Sequence, residues 1–523
     1  MRTKTLSTVS IALIVLVTSP VRGSWDGTLK LGGIVLDEEG DRSAVQETYN
    51  IHDGFSLSQI RLSGTPTKDT HVLLNLREIN LDGRQGDFLL RVPSLLKVNA
   101  SFDQHRQVFD SGGGVNSDRR DFRLGAHVTP VKWLRVSGGF GVMDREGDRL
   151  GFLSSTGAVR GAETTSELGT GYDYSMRTGN VGAEVRKDRR GFALDYRGTD
   201  FTENLNPDAD RTGNVISARG WAPSPLYRKL THMIRAAYGV SELASAVDYT
   251  FGSFQYTGVV RPLDDFQFKY GFDGQRIDHE TTGMKTDRFQ HDVDATFYHA
   301  DGNATAGYSF ETNDDDRHLT SYQSWRFGAT LRGDRHTSRV RYSGREKRDT
   351  EGLTLLRNVE SSRILADVEL RPRKDVSLGV GLKIRDREFP DIGVEAQGRM
   401  LSGNAGYTMD GWGGLSGTYT FTQDEYTDLA AGYDVKTHVV TGRVDITRIQ
   451  NLRLSGGLTY LDVGKDLNIE KSILFVETGY TVADDYHFDV KYNVYNYDDY
   501  VVLDRYYTAN AVWFTFAYDF HVE

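Results

Sequence analysis

The chain has 523 residues, 26% of them charged and 38% hydrophobic, with 56 Gly, 27 Tyr, 25 Phe, no Cys and a formal net charge of −11. The absence of Cys excludes disulfides, thiolate metal sites, cysteine nucleophiles and covalent CxxCH haem attachment, and an acidic balance without a basic run excludes nucleic-acid binding. With a mean hydropathy of −0.48, the apolar share is too small to fill a water-soluble core of this size. A barrel that turns its apolar residues to lipid needs no such core.

Residues 1–23, MRTKTLSTVSIALIVLVTSPVRG, combine Arg2 and Lys4 with an apolar run from Ile11 to Val17 and small residues near Gly23. That is the pattern of a secretory signal peptide, with cleavage expected after Gly23. The run is far shorter than the ~20 residues of a membrane-spanning helix. Residues 24–523 then read as one domain. Alternation of period two begins at once, at GTLKLGGIVLD (27–37), so no globular plug domain is expected ahead of the wall.

The same alternation recurs to the end of the chain. In SLLKVNASFD (94–103), Leu96, Val98, Ala100 and Phe102 alternate with Lys97, Asn99, Ser101 and Asp103. In DDFQFKYGFDG (264–274), Phe266, Phe268, Tyr270 and Phe272 alternate with Gln267, Lys269, Gly271 and Asp273. Further on, DVSLGVGLKIRD (375–386) and DYHFDVKYNV (485–494) repeat the pattern. Short links such as TPVKW, RPLDD, GDRHT, PRKDV and MDGWG alternate with longer polar ones such as EEGDRSAVQETYN and REGDRLGFLSSTGAVRGAETTSE. This is the layout of an all-β, transmembrane antiparallel barrel, with short periplasmic turns and long external loops. The count is about 26 strands, or 24. One stretch, 86–109, reads as one broken strand or as two joined near Pro93; an even total, with both termini periplasmic, requires two.

In such a wall, charges belong on the lumen side, because Lys or Arg facing mid-bilayer costs up to ~2–4 kcal/mol. The residues assigned to the lumen are Arg135, Lys269, Arg339, Arg341, Asp367, Glu369, Lys383, Arg385, Arg443, Asp445, Asp489 and Lys491. Their signs are mixed, which reads as pairing across strands in a wet interior. No catalytic signature is present: HExxH, the Walker A loop and GxSxG are all missing. GGG at 112–114 opens no helix and reads as a flexible loop. The acidic knots LDEEGD (36–41) and NDDDR (313–317) carry the oxygen donors that Ca²⁺ takes, although solvated loop tips are the plainer reading. The chain is expected to be no enzyme and to hold no cofactor of its own.

The stretch GFSLSQIRLSGTPTKDTHVLLNLREINLDGRQGDFLLRVPSLLKVNASFDQHRQVF (54–109) resembles the opening hairpins of the MtrB/PioB family, the barrels of porin–cytochrome conduits. The resemblance covers the mature chain as architecture and this stretch as wording. Many members carry a CxxC pair near the mature N-terminus, which this chain lacks. The resemblance implies a barrel sheathing a multihaem c-type cytochrome, with a second cytochrome at the outer surface, in electron transfer across the outer membrane of a Gram-negative cell. The haem would belong to the partner. The alternative is a stand-alone porin or export channel for large polar solutes. The closing strand, AVWFTFAYDFHVE (511–523), is the C-terminal aromatic strand of either.

Overall fold

The computed structural model describes residues 23–40, 54–81, 83–108, 116–147, 172–244, 248–315, 319–349, 358–427, 432–483, 485–500 and 506–522. They form a single 26-stranded antiparallel sheet in which each strand pairs with its sequence neighbours. The first strand, β1 (Ser24–Gly40), pairs with the last, β26 (Tyr506–Val522), from Trp25↔Val522 to Gly40↔Tyr507, and so closes the ring. Closure leaves no unpaired edge, which is what allows a sheet to cross lipid. The signal peptide expected over residues 1–23 lies, but for Gly23, outside the described residues.

The stretch around Pro93 resolves into two strands, β4 (Gln85–Val92) and β5 (Leu96–Val108). Proline has no amide N–H to give to a ladder, and the chain reverses there, with the Leu95 N–H donating to the Val92 carbonyl. Ser94 takes a φ of 64° in that turn. The remaining short links also fall on one rim and the longer ones on the other. The long rim is not uniform, because 390–393 and 466–468 are themselves short.

Most strands run 13–17 residues, but β3 (Thr70–Arg77) and β4 have 8 each. The wall is therefore lower there. Residues 78–80 fold back along β2 (Gly54–Thr67): the Glu78 and Ile79 amides donate to the Ser58 and Leu57 carbonyls, and Asn80 bridges Leu57 and Phe55. Leu81 is buried under this fold-back. Burial also pushes the Glu78 carboxyl above its ordinary range, against the opposing pull of Arg77.

The exposed apolar side chains fall mostly on one parity of a strand: Val340, Val368, Leu370, Leu378, Val380 and Leu382 are examples. This parity faces lipid, and the other faces the lumen. On the lipid face a motif recurs that sequence reading misses. A tyrosine on a rising strand stands opposite an apolar residue and hydrogen-bonds the polar side chain two positions higher on the next strand. The pairs are Tyr196–Asn214 at 2.6 Å, Tyr270–His291 at 2.9 Å, Tyr308–Gln323 at 3.3 Å, Tyr419–His438 at 2.9 Å and Tyr492–Asn510 at 2.8 Å. Each phenol thus carries its own partner into a region without water. At the closing seam, Asp519 accepts from Thr28 and meets His487 Nε2 at 3.0 Å, while His487 Nδ1 meets Thr481.

Candidate functional site: the lumen wall

The sequence-assigned residues fall into separate groups along the lumen parity. Arg135 stands opposite Glu184, which also takes Arg219 at 3.0 Å. Lys269 reaches Asp294 at 3.6 Å, and Arg326 joins the same carboxylate at 2.7 Å. Arg339 pairs with Asp367 at 3.4 Å, and Glu369 lies opposite Thr337. Arg443 and Asp445 pair at 2.8 Å, with Ser455 donating to Asp445. Arg453 takes Glu477 at 2.8 Å and Asp489 at 3.6 Å. Lys491 and Arg443 each lie 5.6 Å from the centre of the Phe475 ring.

Several of these pairs share one construction. Arg326, Gly307 and Asp294 form one cross-strand row, Arg385, Gly398 and Asp424 a second, and Arg453, Gly479 and Asp489 a third. In each, an arginine lies across a glycine to reach an aspartate two strands away. A Cβ at position 398 would sit 2.3 Å from Arg385 Nε, and one at 307 would sit 2.6 Å from Arg326 Nε. The glycines are therefore slots for guanidinium groups. Arg219, Ala193 and Glu184 repeat the row with alanine, which is buried beneath the pair. Asp294, Arg326, Asp424, Arg453 and Glu477 were not visible as partners in the sequence, because the pairing crosses strands that are far apart along the chain.

Not all the charge is paired. On β17 (His336–Asp349), β18 (Val359–Arg373) and β19 (Val376–Phe389) the lumen parity carries Arg341, Arg345, Arg363, Lys383, Arg385 and Arg387, with Lys347 above them. Arg363 and Arg385 stand directly opposite each other, and Arg341 and Lys383 flank Leu365 in the next row. Arg345 lies 4.5 Å from the Tyr322 ring centre, and Arg385 reaches Asp424 at 2.6 Å. Among the described residues, Arg341, Arg363, Lys383 and Arg387 have no carboxylate at ion-pair distance. On the outer face of the same strands Glu346, Glu360 and Glu388 form one row, with Arg348 held between Glu346 and Glu360, while Asp367 and Glu369 of β18 stay on the lumen face, nearer the short turn than the cation rows.

Like charges set directly opposite each other destabilise a sheet. Rows that set Arg363 against Arg385 on one face and Glu346, Glu360 and Glu388 side by side on the other gain nothing in stability from that arrangement. Its chemical consequence is a concave, wet, positively charged surface about 10 Å wide and 20 Å tall, given two strand spacings and four rows. Such a surface attracts multivalent anions. The mixed signs expected in the lumen include Asp367 and Glu369 on β18, whereas the rows of these three strands level with 341–347 carry cations alone.

The sequence matches no protein-family profile and no curated protein. Among solved structures, the siderophore receptor PirA from Pseudomonas aeruginosa is similar, with a TM-score of 0.47 and 11% identity over 95% of this chain and 80% of that one. The ferric citrate transporter FecA has a TM-score of 0.48 and 10% identity, covering 96% and 79%. The ferric-catecholate import receptor Fiu from E. coli K12 has 0.45 and 10%, covering 95% and 82%. The closed ring and its exposed apolar face are those of an outer-membrane β-barrel, resident in the lipid bilayer of a Gram-negative envelope.

Three expectations are corrected here. The similar barrels are siderophore and ferric citrate receptors, and the expectation of a plugless wall is withdrawn. Neither the cytochrome sheath nor the stand-alone porin stands, because the solved neighbours are siderophore and ferric citrate receptors. A ring of 26 strands encloses a backbone diameter on the order of 50 Å, beyond that of the 22-stranded transporters whose lumen is plugged.

Proposed function

We propose that this chain is an outer-membrane transport barrel that captures a bulky multivalent anion on the lumen wall of β17–β19, in the class of polycarboxylate or catecholate iron chelates. The observation that carries this reading is the set of uncompensated cations Arg341, Arg363, Lys383 and Arg387 beside Arg345 and Arg385. Ferric citrate and ferric catecholates, named for two of the similar barrels, belong to that class of anion. The chemistry of the wall supports the assignment; the likeness of fold does not bear on it. Binding here is capture by position and charge, with no bond made or broken by the protein.

Capture by charge has a signature in salt. Titration of the purified barrel with ferric citrate is expected to give saturable binding. The affinity should fall about tenfold or more as ionic strength rises from about 0.1 M to about 1 M, because the screening length shrinks from ~10 Å to ~3 Å. Calorimetry or quenching of tryptophan emission measures this. Binding that is indifferent to salt, or absent at low salt, would contradict the reading.

A further inference from the structure

The outer face carries a second, smaller set of unspent cations. On β20 (Val394–Met409), β21 (Gly413–Thr427) and β22 (Tyr433–Ile446), Arg399, Gln423 and Lys436 stand side by side in one cross-strand row. They share the parity of the exposed apolar residues Leu401, Tyr407, Leu415, Tyr419, Val440 and Val444, so the row belongs to the lipid-facing surface.

Its height is informative. Arg399, Gln423 and Lys436 each lie ten positions from the short-turn ends of their strands at Met409, Gly413 and Ile446. At ~3.3 Å per residue and ~40° of tilt, ten positions rise about 25 Å, the height of the apolar band of an outer-membrane barrel. The Tyr419–His438 hydrogen bond lies just below the row and marks the last apolar level. Arg399 and Lys436 are therefore placed where hydrocarbon gives way to headgroups.

Two outer-face arginines near this level already have partners, although among the described residues Arg120 and Arg177 at similar height do not. Arg276 makes two hydrogen bonds to Asp287, and Arg348 is held by Glu346 and Glu360. Arg399 bonds only the neutral Gln397, at 3.2 Å, and among the described residues neither it nor Lys436 has an ion-pair partner. The nearest acid on the strand of Lys436 is Asp434, which is engaged by Lys465 at 3.4 Å and by Gln423 Nε2 at 3.3 Å. Glu425 and Asp386 lie one row higher on this face, opposite Gln397, so a bound anion is confined to the Arg399 row.

We propose that Arg399, Gln423 and Lys436 form a binding site for the phosphate of an outer-leaflet glycolipid. The two cations are about 10 Å apart at their backbones, two strand spacings, with Gln423 between them in the row. Lipid is the occupant that the location selects, because the row faces the bilayer and begins at headgroup height. The site is on the opposite face of the wall from the anion-capturing surface and is independent of it.

The test uses the full-length purified barrel in phosphate-free detergent, with bound lipid counted by native mass spectrometry. Bisphosphorylated lipid A is titrated against the wild type and the Arg399→Gln/Lys436→Gln variant. The wild type is expected to retain one additional lipid with about tenfold or greater preference over the variant. A dephosphorylated lipid A should show no such difference, and millimolar inorganic phosphate should not displace the bound lipid. Arg276→Gln, whose side chain is already occupied by Asp287, should leave retention unchanged. Should the double variant fail to assemble, Lys436→Gln alone provides the same comparison. Equal retention of bisphosphorylated lipid A by wild type and variant, retention of the dephosphorylated lipid by the wild type as strong as that of the bisphosphorylated one, or displacement by free phosphate would each overturn the proposal.

Discussion

A barrel carrying Arg363→Gln, Lys383→Gln and Arg385→Gln is expected to bind ferric citrate about a hundredfold more weakly than the wild type while remaining at least as stable. At a solvated wall each lost cation removes on the order of 1 kcal/mol of attraction to a nearby anionic charge, and three together give about 3 kcal/mol, or two orders of magnitude. The stability side runs the other way. Arg363 and Arg385 oppose each other directly, and removing that pair relieves repulsion. The ion pair lost is Arg385–Asp424, whose side chains are 58% and 41% exposed, and exposed pairs contribute little. Affinity and the denaturant midpoint, measured on the same preparation, should thus move in opposite directions or separately. A purely structural role for these cations predicts that both fall together. Arg453→Gln, elsewhere on the lumen wall, should leave binding unchanged.

The second large effect concerns the facing of the wall itself. Leu382→Arg places a charge on the exposed apolar parity of β19, at mid-strand, and is expected to destabilise the barrel by about 2–4 kcal/mol in lipid vesicles. Thr420→Arg, at a similar height but on the lumen parity of β21, should cost close to nothing. Reversible folding into vesicles, followed by urea titration, separates them. Equal costs, or the reverse order, would mean that the two faces are exchanged. The cations of β17–β19 would then face lipid, an arrangement that the cost of burying charge forbids.

Period-two alternation is local, so the strands and the change of face along each of them were legible from neighbouring letters alone. Pro93 marked a reversal for the same local reason. Register is not local. Whether Arg385 meets Asp424 depends on where β20 begins and ends, on turn lengths and on bulges such as the shift between Lys30 and Leu31. The sequence therefore shows Arg385 as a lumen charge but not Gly398 as the slot that lets it cross a strand. The gathering of Arg363 beside Arg385 is hidden likewise, because the residues are 22 positions apart and only the hairpin between them brings them level. The low wall at β3 and β4 also escapes a strand count, since an 8-residue strand and a 14-residue strand alternate alike. The expectation that the chain has no plug domain is withdrawn for a different reason. It was read from where alternation begins, and the start of a wall says nothing about what occupies the space inside it.

The most direct measurement is the position of iron in crystals of the barrel grown with ferric citrate, located by anomalous scattering at the iron edge. The account predicts a peak within side-chain reach of Arg363, Lys383 and Arg385 on the lumen face of β17–β19. A peak lodged elsewhere on the wall, such as beside Arg443 and Lys491, or a fully ordered lumen with no iron in it, would contradict it.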